Sequence, residues 1–101
     1  MKLYQFDAAP SSKRVEKFLK ETNIQVETVQ LDIMEGEHFK EPFKTMNPFN
    51  CIPFLELDDG TVISETLAIC NYLEQISNSE IKLFGENTKE KALIEMWNRR
   101  L

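Results

Sequence analysis

The 101-residue chain holds two cysteines, Cys51 and Cys70, and one histidine, His38. Two cysteines so far apart make neither a disulfide framework nor a paired metal knuckle. No CxxC pair occurs, so thiol–disulfide exchange through a resident dithiol is disfavoured. His38 has no partner at ligand spacing, and no metal is expected. Positive charge is also short. Lys plus Arg is 12 against 17 Asp plus Glu, for a net charge of −5, with no basic stripe. Nucleic acid is therefore not an expected partner. No apolar run approaches the roughly 18 residues of a membrane span, so no membrane partner is expected either. The opening Met1-Lys2-Leu3-Tyr4-Gln5-Phe6-Asp7 lacks the apolar stretch of a signal peptide. With the sparse cysteine, this points to a reducing cytoplasm.

What remains is an ordinary globular composition: 42% hydrophobic, 29% charged and 10% aromatic residues, with no internal repeat. That is enough for one core. Lys2 to Phe6 reads as a strand, and a turn follows at Asp7 to Pro10. Val15, Phe18 and Leu19 recur at helical spacing behind Ser11 and Ser12, either of which is placed to cap that helix. Asn23 suits its end. Val29, Leu31 and Ile33 alternate with Gln30 and Asp32 within a second strand over 26–33. Phe39, Phe43 and Met46 fit one face of a short helix, with Pro42 in its first turn. Phe54 to Leu57 and Thr61 to Ile63 flank a tight Asp59-Gly60 turn, a hairpin signal. Ser64 is placed to cap a third helix whose Ile69, Leu73 and Ile76 share a face. A polar connector interrupted by Leu83-Phe84 leads to a last helix. There Leu93, Trp97 and Leu101 share an apolar face, and Arg99-Arg100 reads as solvated.

The order β-α-β-α-β-β-α implies a parallel β-α-β start with a right-handed crossover and an antiparallel hairpin. The expected fold is α/β: a four-stranded mixed sheet flanked by helices, in the thioredoxin-like arrangement, followed by one extra C-terminal helix. The division is 1–77 for this unit, 78–88 for a linker, and 89–101 for the start of a truncated helical domain.

Three segments carry chemistry. The turn into the first helix offers amides and a helix dipole that favour an anion. Ser11 and Ser12 there read either as caps or as hydroxyls able to donate to a bound thiolate and lower its pKa. Pro53 opens a strand, where it suits a cis Ile52-Pro53 bond that turns the preceding backbone toward a ligand, or else an ordinary trans proline. Glu65 and Thr66 begin the third helix. They read either as an acidic helix start or as a holder for an amino-acid head group, with the amides and hydroxyl on its carboxylate and Glu65 on its ammonium. Cys51 lies beside that strand start as a candidate reactive thiol, whereas Cys70 falls in an apolar helix pattern and reads as core.

The stretch Asn47-Pro48-Phe49-Asn50-Cys51-Ile52-Pro53-Phe54-Leu55-Glu56-Leu57-Asp58-Asp59-Gly60-Thr61-Val62-Ile63-Ser64-Glu65-Thr66-Leu67-Ala68-Ile69-Cys70-Asn71-Tyr72-Leu73-Glu74 resembles the signature of the glutathione transferase family. Lys2-Leu3-Tyr4, Ser12-Lys13-Arg14-Val15 and the segment from Lys91 to Arg100 extend the similarity over essentially the whole chain. The resemblance implies a glutathione site. Ile52 would offer its backbone to the cysteinyl part, with Pro53 cis, and Glu65 and Thr66 would hold the γ-glutamyl end. His38, with Asn50 nearby, would meet the glycine carboxylate. The family's thiol-activating residue usually lies where Ala9 and Pro10 stand here, so either Ser11 or Ser12 would substitute or activation would rest on backbone amides or water. A basic residue often found at the position of Cys51 is replaced. Glutathione is then the co-substrate, a small electrophile the second substrate, and a homodimer, or self-association through the exposed C-terminal helix, the expected assembly. The function implied is glutathione binding and, in a complete chain, thiol activation for conjugation. The alternative is a non-catalytic, transferase-like interaction module.

Overall fold

The computed structural model describes residues 1–48 and 51–100. Asn50 and Leu101, assigned above to the glycine end of a ligand and to the last apolar face, lie outside the described residues. Four strands, β1 (Lys2–Gln5), β2 (Glu27–Gln30), β3 (Phe54–Glu56) and β4 (Val62–Ser64), form one sheet in the order β2-β1-β3-β4. β1 runs parallel to β2, and the β1–β3 and β3–β4 pairs are antiparallel. The helices are α1 (Pro10–Thr22), α2 (Phe43–Met46), α3 (Thr66–Ile76) and α4 (Thr88–Arg100). This is the thioredoxin-like sheet and helix order expected from the sequence, with α4 as the extra helix.

Alternation along the strands sorts side chains into two layers. Leu3, Leu55 and Ile63 are cross-strand partners in one row. They pack with Val15 and Phe18 of α1 and Ile69, Cys70 and Leu73 of α3. Each fully buried aliphatic there contributes roughly 1.5–3 kcal/mol. On the opposite face Tyr4 stacks on its partner Phe54 at 4.9 Å, and Phe43 and Met46 of α2 close over them with Leu31.

Several local expectations give way to tertiary constraints. Neither Ser11 nor Ser12 caps α1. The helix begins earlier, with Pro10 in its first turn and Ala9 at the cap, because a proline supplies the helical φ and lacks the amide that would go unpaired there. Ser64 does not cap α3 either, since it stays in the β ladder opposite Phe54. The chain turns into α3 through Glu65 alone, at φ 75° and ψ 121°. Phe39 does not share a helical face with Phe43 and Met46. It ends a separate 3-10 turn (Glu37–Phe39), and Pro42 stands at the start of α2, where a proline cannot continue a preceding helix. The second strand is shorter than the pattern suggested and ends at Gln30, with Ile33 beginning a 3-10 turn. Ile76 is 51% exposed and does not join Ile69 and Leu73 in the core. Asn23 does end α1, in the left-handed conformation that asparagine tolerates.

The connector after α3 is polar in composition yet tied down. Ser79 donates its hydroxyl to the Thr22 carbonyl at 2.9 Å. Glu74, 3% exposed, accepts the Leu83 N–H at 2.7 Å and the Phe84 N–H at 3.2 Å. Phe84 meets Phe18 edge to face, with ring centroids 6.1 Å apart. Gly85 then turns at φ +95°, where a Cβ would stand 2.8 Å from the Lys91 amide nitrogen, so only glycine fits. α4 buries none of its described residues, and Leu93 and Trp97 stay exposed. Arg99 pairs with Glu95, and the Arg100 guanidinium lies 5.3 Å from the centre of the Trp97 ring.

Candidate functional site

The registers Tyr4↔Phe54 and Phe54↔Ser64 put the end of β1, the start of β3 and the end of β4 at one edge of the sheet. The three segments singled out from the sequence leave from that edge. β1 runs out into the Asp7–Ala9 turn and the first turn of α1. β3 is entered through Ile52-Pro53, and β4 passes through Glu65 into Thr66.

The α1 turn is held by a polar lattice. Asp7 Oδ1 accepts from the side-chain amides of Gln5 at 3.1 Å and Gln30 at 3.0 Å, and the Asp7 N–H donates to Gln30 Oε1 at 3.1 Å. Ser12 is buried, and its Oγ accepts the Phe6 N–H at 3.2 Å. Ser12 thus ties α1 to the end of β1, whereas Ser11 is half-buried and faces a cleft.

The Ile52-Pro53 bond is cis. Ile52 makes no backbone–backbone hydrogen bond among the described residues, so its polar backbone groups lie outside the ladder that starts at Phe54. Asn47, 3% exposed, donates through Nδ2 to the Cys51 carbonyl at 2.7 Å. This buried amide bridges across the loop and sets the approach to Ile52. Nothing in the sequence marks it, since a buried amide directed at a nearby carbonyl leaves no periodic signal. Cys51 is exposed and Cys70 buried. Burial, followed by the charge of Glu74, pushes the Cys70 thiol up to about 12, so it stays protonated and inert at neutral pH.

At the third segment Glu65 holds a positive φ that costs a non-glycine residue on the order of 1–3 kcal/mol. Among the described residues no side-chain cap satisfies the first amides of α3. Ser11, Glu65 and Thr66 line one cleft of about 740 Å³ between α1, α3 and α4, together with Arg14, Asn71 and Arg99. Ile52, Pro53 and His38 do not line it. His38 sits on the 3-10 turn Glu37–Phe39, its ring 4.0 Å from that of Phe39, and its Nδ1 is buried with no partner among the described residues. Below the edge, Tyr4 donates its hydroxyl to Glu56 at 3.1 Å, and burial first, then that bond, raises its pKa.

Comparison with known proteins agrees with this architecture. Residues 3–81 match the family described as glutathione S-transferase, N-terminal domain. The chain is 37% identical over 102 residues to glutathione S-transferase 2 of Saccharomyces cerevisiae, an alignment that takes in 99% of this chain and 43% of the yeast protein. It is similar to the crystal structure of a glutathione S-transferase domain-containing protein from Marinobacter aquaeolei, with a TM-score of 0.90, 39% identity, and coverage of 99% of this chain and 49% of that one. For a glutathione S-transferase of class Gtt2 from Vibrio parahaemolyticus the TM-score is 0.86 and the identity 47%, over 99% of this chain and 50% of that one. The chain therefore spans half or less of the length of these relatives.

Proposed function

Because the chain belongs to the glutathione S-transferase family, we propose that it binds glutathione at the sheet edge where β1 ends, β3 begins and β4 turns into α3. The observation that carries this reading is the cleft shared by Ser11, Glu65 and Thr66, with the strained Glu65 leading into α3 and the uncapped first amides of that helix behind it. Backbone strain of this kind clusters at ligand clamps. In the proposal, Thr66 and the first amides of α3 take the γ-glutamyl carboxylate, and Glu65 takes the ammonium. Ile52, whose backbone is unused by the sheet, pairs with the cysteinyl part in the manner of an added strand. His38, with Asn50, serves the glycine carboxylate.

Thiol activation falls to Ser11 rather than Ser12, because the Ser12 hydroxyl is buried against the Phe6 amide. A hydroxyl donated to the glutathione sulfur, added to the positive end of α1, favours the thiolate that attacks an electrophile. Conjugation to a small electrophile, dimer formation, a cytoplasmic setting and the division at 1–77, 78–88 and 89–101 belong to the same proposal.

Titration calorimetry with glutathione tests the binding claim. Heat of binding is expected, and it should weaken in Glu65→Ala and Thr66→Ala with the thermal melt little changed. No heat at millimolar glutathione would remove the ligand assignment. A chromogenic electrophile then separates a transferase from an interaction module. Turnover reduced by Ser11→Ala supports the former, and binding without turnover supports the latter.

A further inference from the structure

The turn that leads into Ser11 is tied to the sheet through one side chain. The β1–β2 ladder ends at the pair Gln5↔Gln30, and both glutamines reach past that end to Asp7. Gln30 acts twice: its Nε2 donates to Asp7 Oδ1 at 3.0 Å, and its Oε1 accepts the Asp7 N–H at 3.1 Å. Gln5 Nε2 donates to the same Oδ1 at 3.1 Å. An ionised carboxylate only accepts, so Asp7 turns the nitrogen of each amide toward itself. For Gln5, 6% exposed, that orientation leaves Oε1 buried with no partner among the described residues. A buried acceptor left unpaired is rare, and here the bond to Asp7 holds it in that state.

The turn closes with the Ala9 N–H on the Phe6 carbonyl at 2.9 Å, and α1 starts at Pro10 with no side-chain cap among the described residues. Its direction is therefore set by Ser12 on one side and by the Asp7 lattice on the other. Thiol activation depends on that direction, because a hydroxyl or amide stabilises a thiolate only when its hydrogen points at the sulfur. We propose that Asp7 is a positioning residue for thiol activation: with Gln5 and Gln30 it anchors the β1–α1 turn so that Ser11 and the first amides of α1 stay aimed at the glutathione sulfur. This rests on the glutathione reading above and adds to it the anchor of its thiol end. The charge of Asp7 acts the other way, since a carboxylate near a thiolate disfavours it. The other charges about Ser11 are Arg14 on α1, Glu65 on α3 and the paired Glu95 and Arg99 on α4. Geometry and charge are separable, because both glutamines use one oxygen. Asp7→Asn keeps that oxygen and removes the charge. Gln30→Ala breaks two of the three bonds and leaves every charge in place.

The ultraviolet absorbance of the thiolate, followed against pH in the glutathione complex, reads the alignment. S-methylglutathione, which has no ionisable thiol, reads the rest of the site. Gln30→Ala is expected to raise the pKa of the bound thiol by about 0.5–1 unit, part of the worth of a hydrogen bond to a charged group. Below that pKa the thiolate fraction then falls about 3- to 10-fold. Asp7→Asn, with the lattice kept and the charge gone, should lower the pKa by a few tenths, and Asp7→Ala should fall between the two. Affinity for S-methylglutathione should stay within about twofold in all three variants. A thiol pKa unmoved by Gln30→Ala, or raised by Asp7→Asn, overturns the assignment. Equal losses of affinity for both peptides also overturn it, since the lattice would then serve the fold as a whole. So does a bound thiol that titrates as it does in free glutathione, which leaves Asp7 nothing to position. If the unsubstituted chain binds neither peptide, the glutathione reading itself fails. If it binds both and the shift in Gln30→Ala is missing, only the role of Asp7 fails.

Discussion

Glu74 looks in sequence like one more charge on a helix, yet removing it should release the whole segment after α3. Its carboxylate is 3% exposed and accepts two backbone amides, Leu83 N–H at 2.7 Å and Phe84 N–H at 3.2 Å to both oxygens. Hydrogen bonds to a charged group are worth roughly 1.5–3 kcal/mol, and longer shared ones less. Glu74→Ala gives up the short bond, about 2 kcal/mol, and the longer shared one, about 1 kcal/mol. It also loosens the contact of Phe84 with Phe18. Water reaching the freed amides returns a part, so the expected loss is about 2–3 kcal/mol. For a domain of this size that lowers Tm by roughly 8–20 °C. Glu74→Gln keeps one acceptor oxygen and turns a donor toward the other amide, so about 1–2 kcal/mol is expected. Urea unfolding measures the total. Amide hydrogen exchange locates it, with protection falling first at Leu83 and Phe84. If Glu74→Ala leaves the exchange of those two amides unchanged, or costs under about 0.5 kcal/mol, the carboxylate is not what holds the connector.

The two cysteines should behave oppositely. The Cys70 thiol, moved from its ordinary 9.0 to about 12, keeps its proton in the folded chain at pH values where the unfolded chain loses it. Stability is therefore unaffected below about pH 9 and falls between about 9 and 12, by at most roughly 1.4 kcal/mol per pH unit. Cys70→Ala should flatten most of that decline in unfolding experiments run across this range, leaving the smaller contribution of Tyr4, whose pKa is also raised. An unchanged slope would contradict the burial argument. A thiol-specific reagent at neutral pH should modify one thiol of the native chain, the exposed Cys51, and none in Cys51→Ser. Asn47→Ala breaks the 2.7 Å bond to the Cys51 carbonyl and should cost about 1–3 kcal/mol. It should also weaken glutathione binding by misplacing Ile52. A calorimetric affinity equal to that of the unsubstituted chain would show that Asn47 serves stability alone.

Much of the architecture was readable from periodicity because burial on a two-sided sheet imposes it. Leu3 and Leu55 had to face α1 and α3, while Tyr4 and Phe54 had to face α2, and alternation carries that information locally. The candidate site was legible as three separate segments, since a turn before a helix, a proline opening a strand and an acidic helix start each leave a short-range mark. The helix starts were less legible. Ser11, Ser12 and Ser64 are all competent caps, and choosing among them requires knowing that Pro10 begins α1 and that Ser64 is held in the ladder by Phe54.

What the sequence determined alone is the element order, the helical spacing of Val15 with Phe18 and of Ile69 with Leu73, and the absence of a resident dithiol, because these depend on residue type and near-neighbour spacing. What only the tertiary structure decided is which polar groups meet. Ser11 and Ser12 differ by one position, and one lines a cleft while the other is buried against Phe6. Glu74 clasps the connector, Asn47 bridges to Cys51, and Arg14 comes to share a cleft with Glu65. Such pairings follow from how the helices are set on the sheet edge. A hydrogen bond or a charge contact needs its partners within a few ångströms in space, and sequence spacing specifies that only within an element.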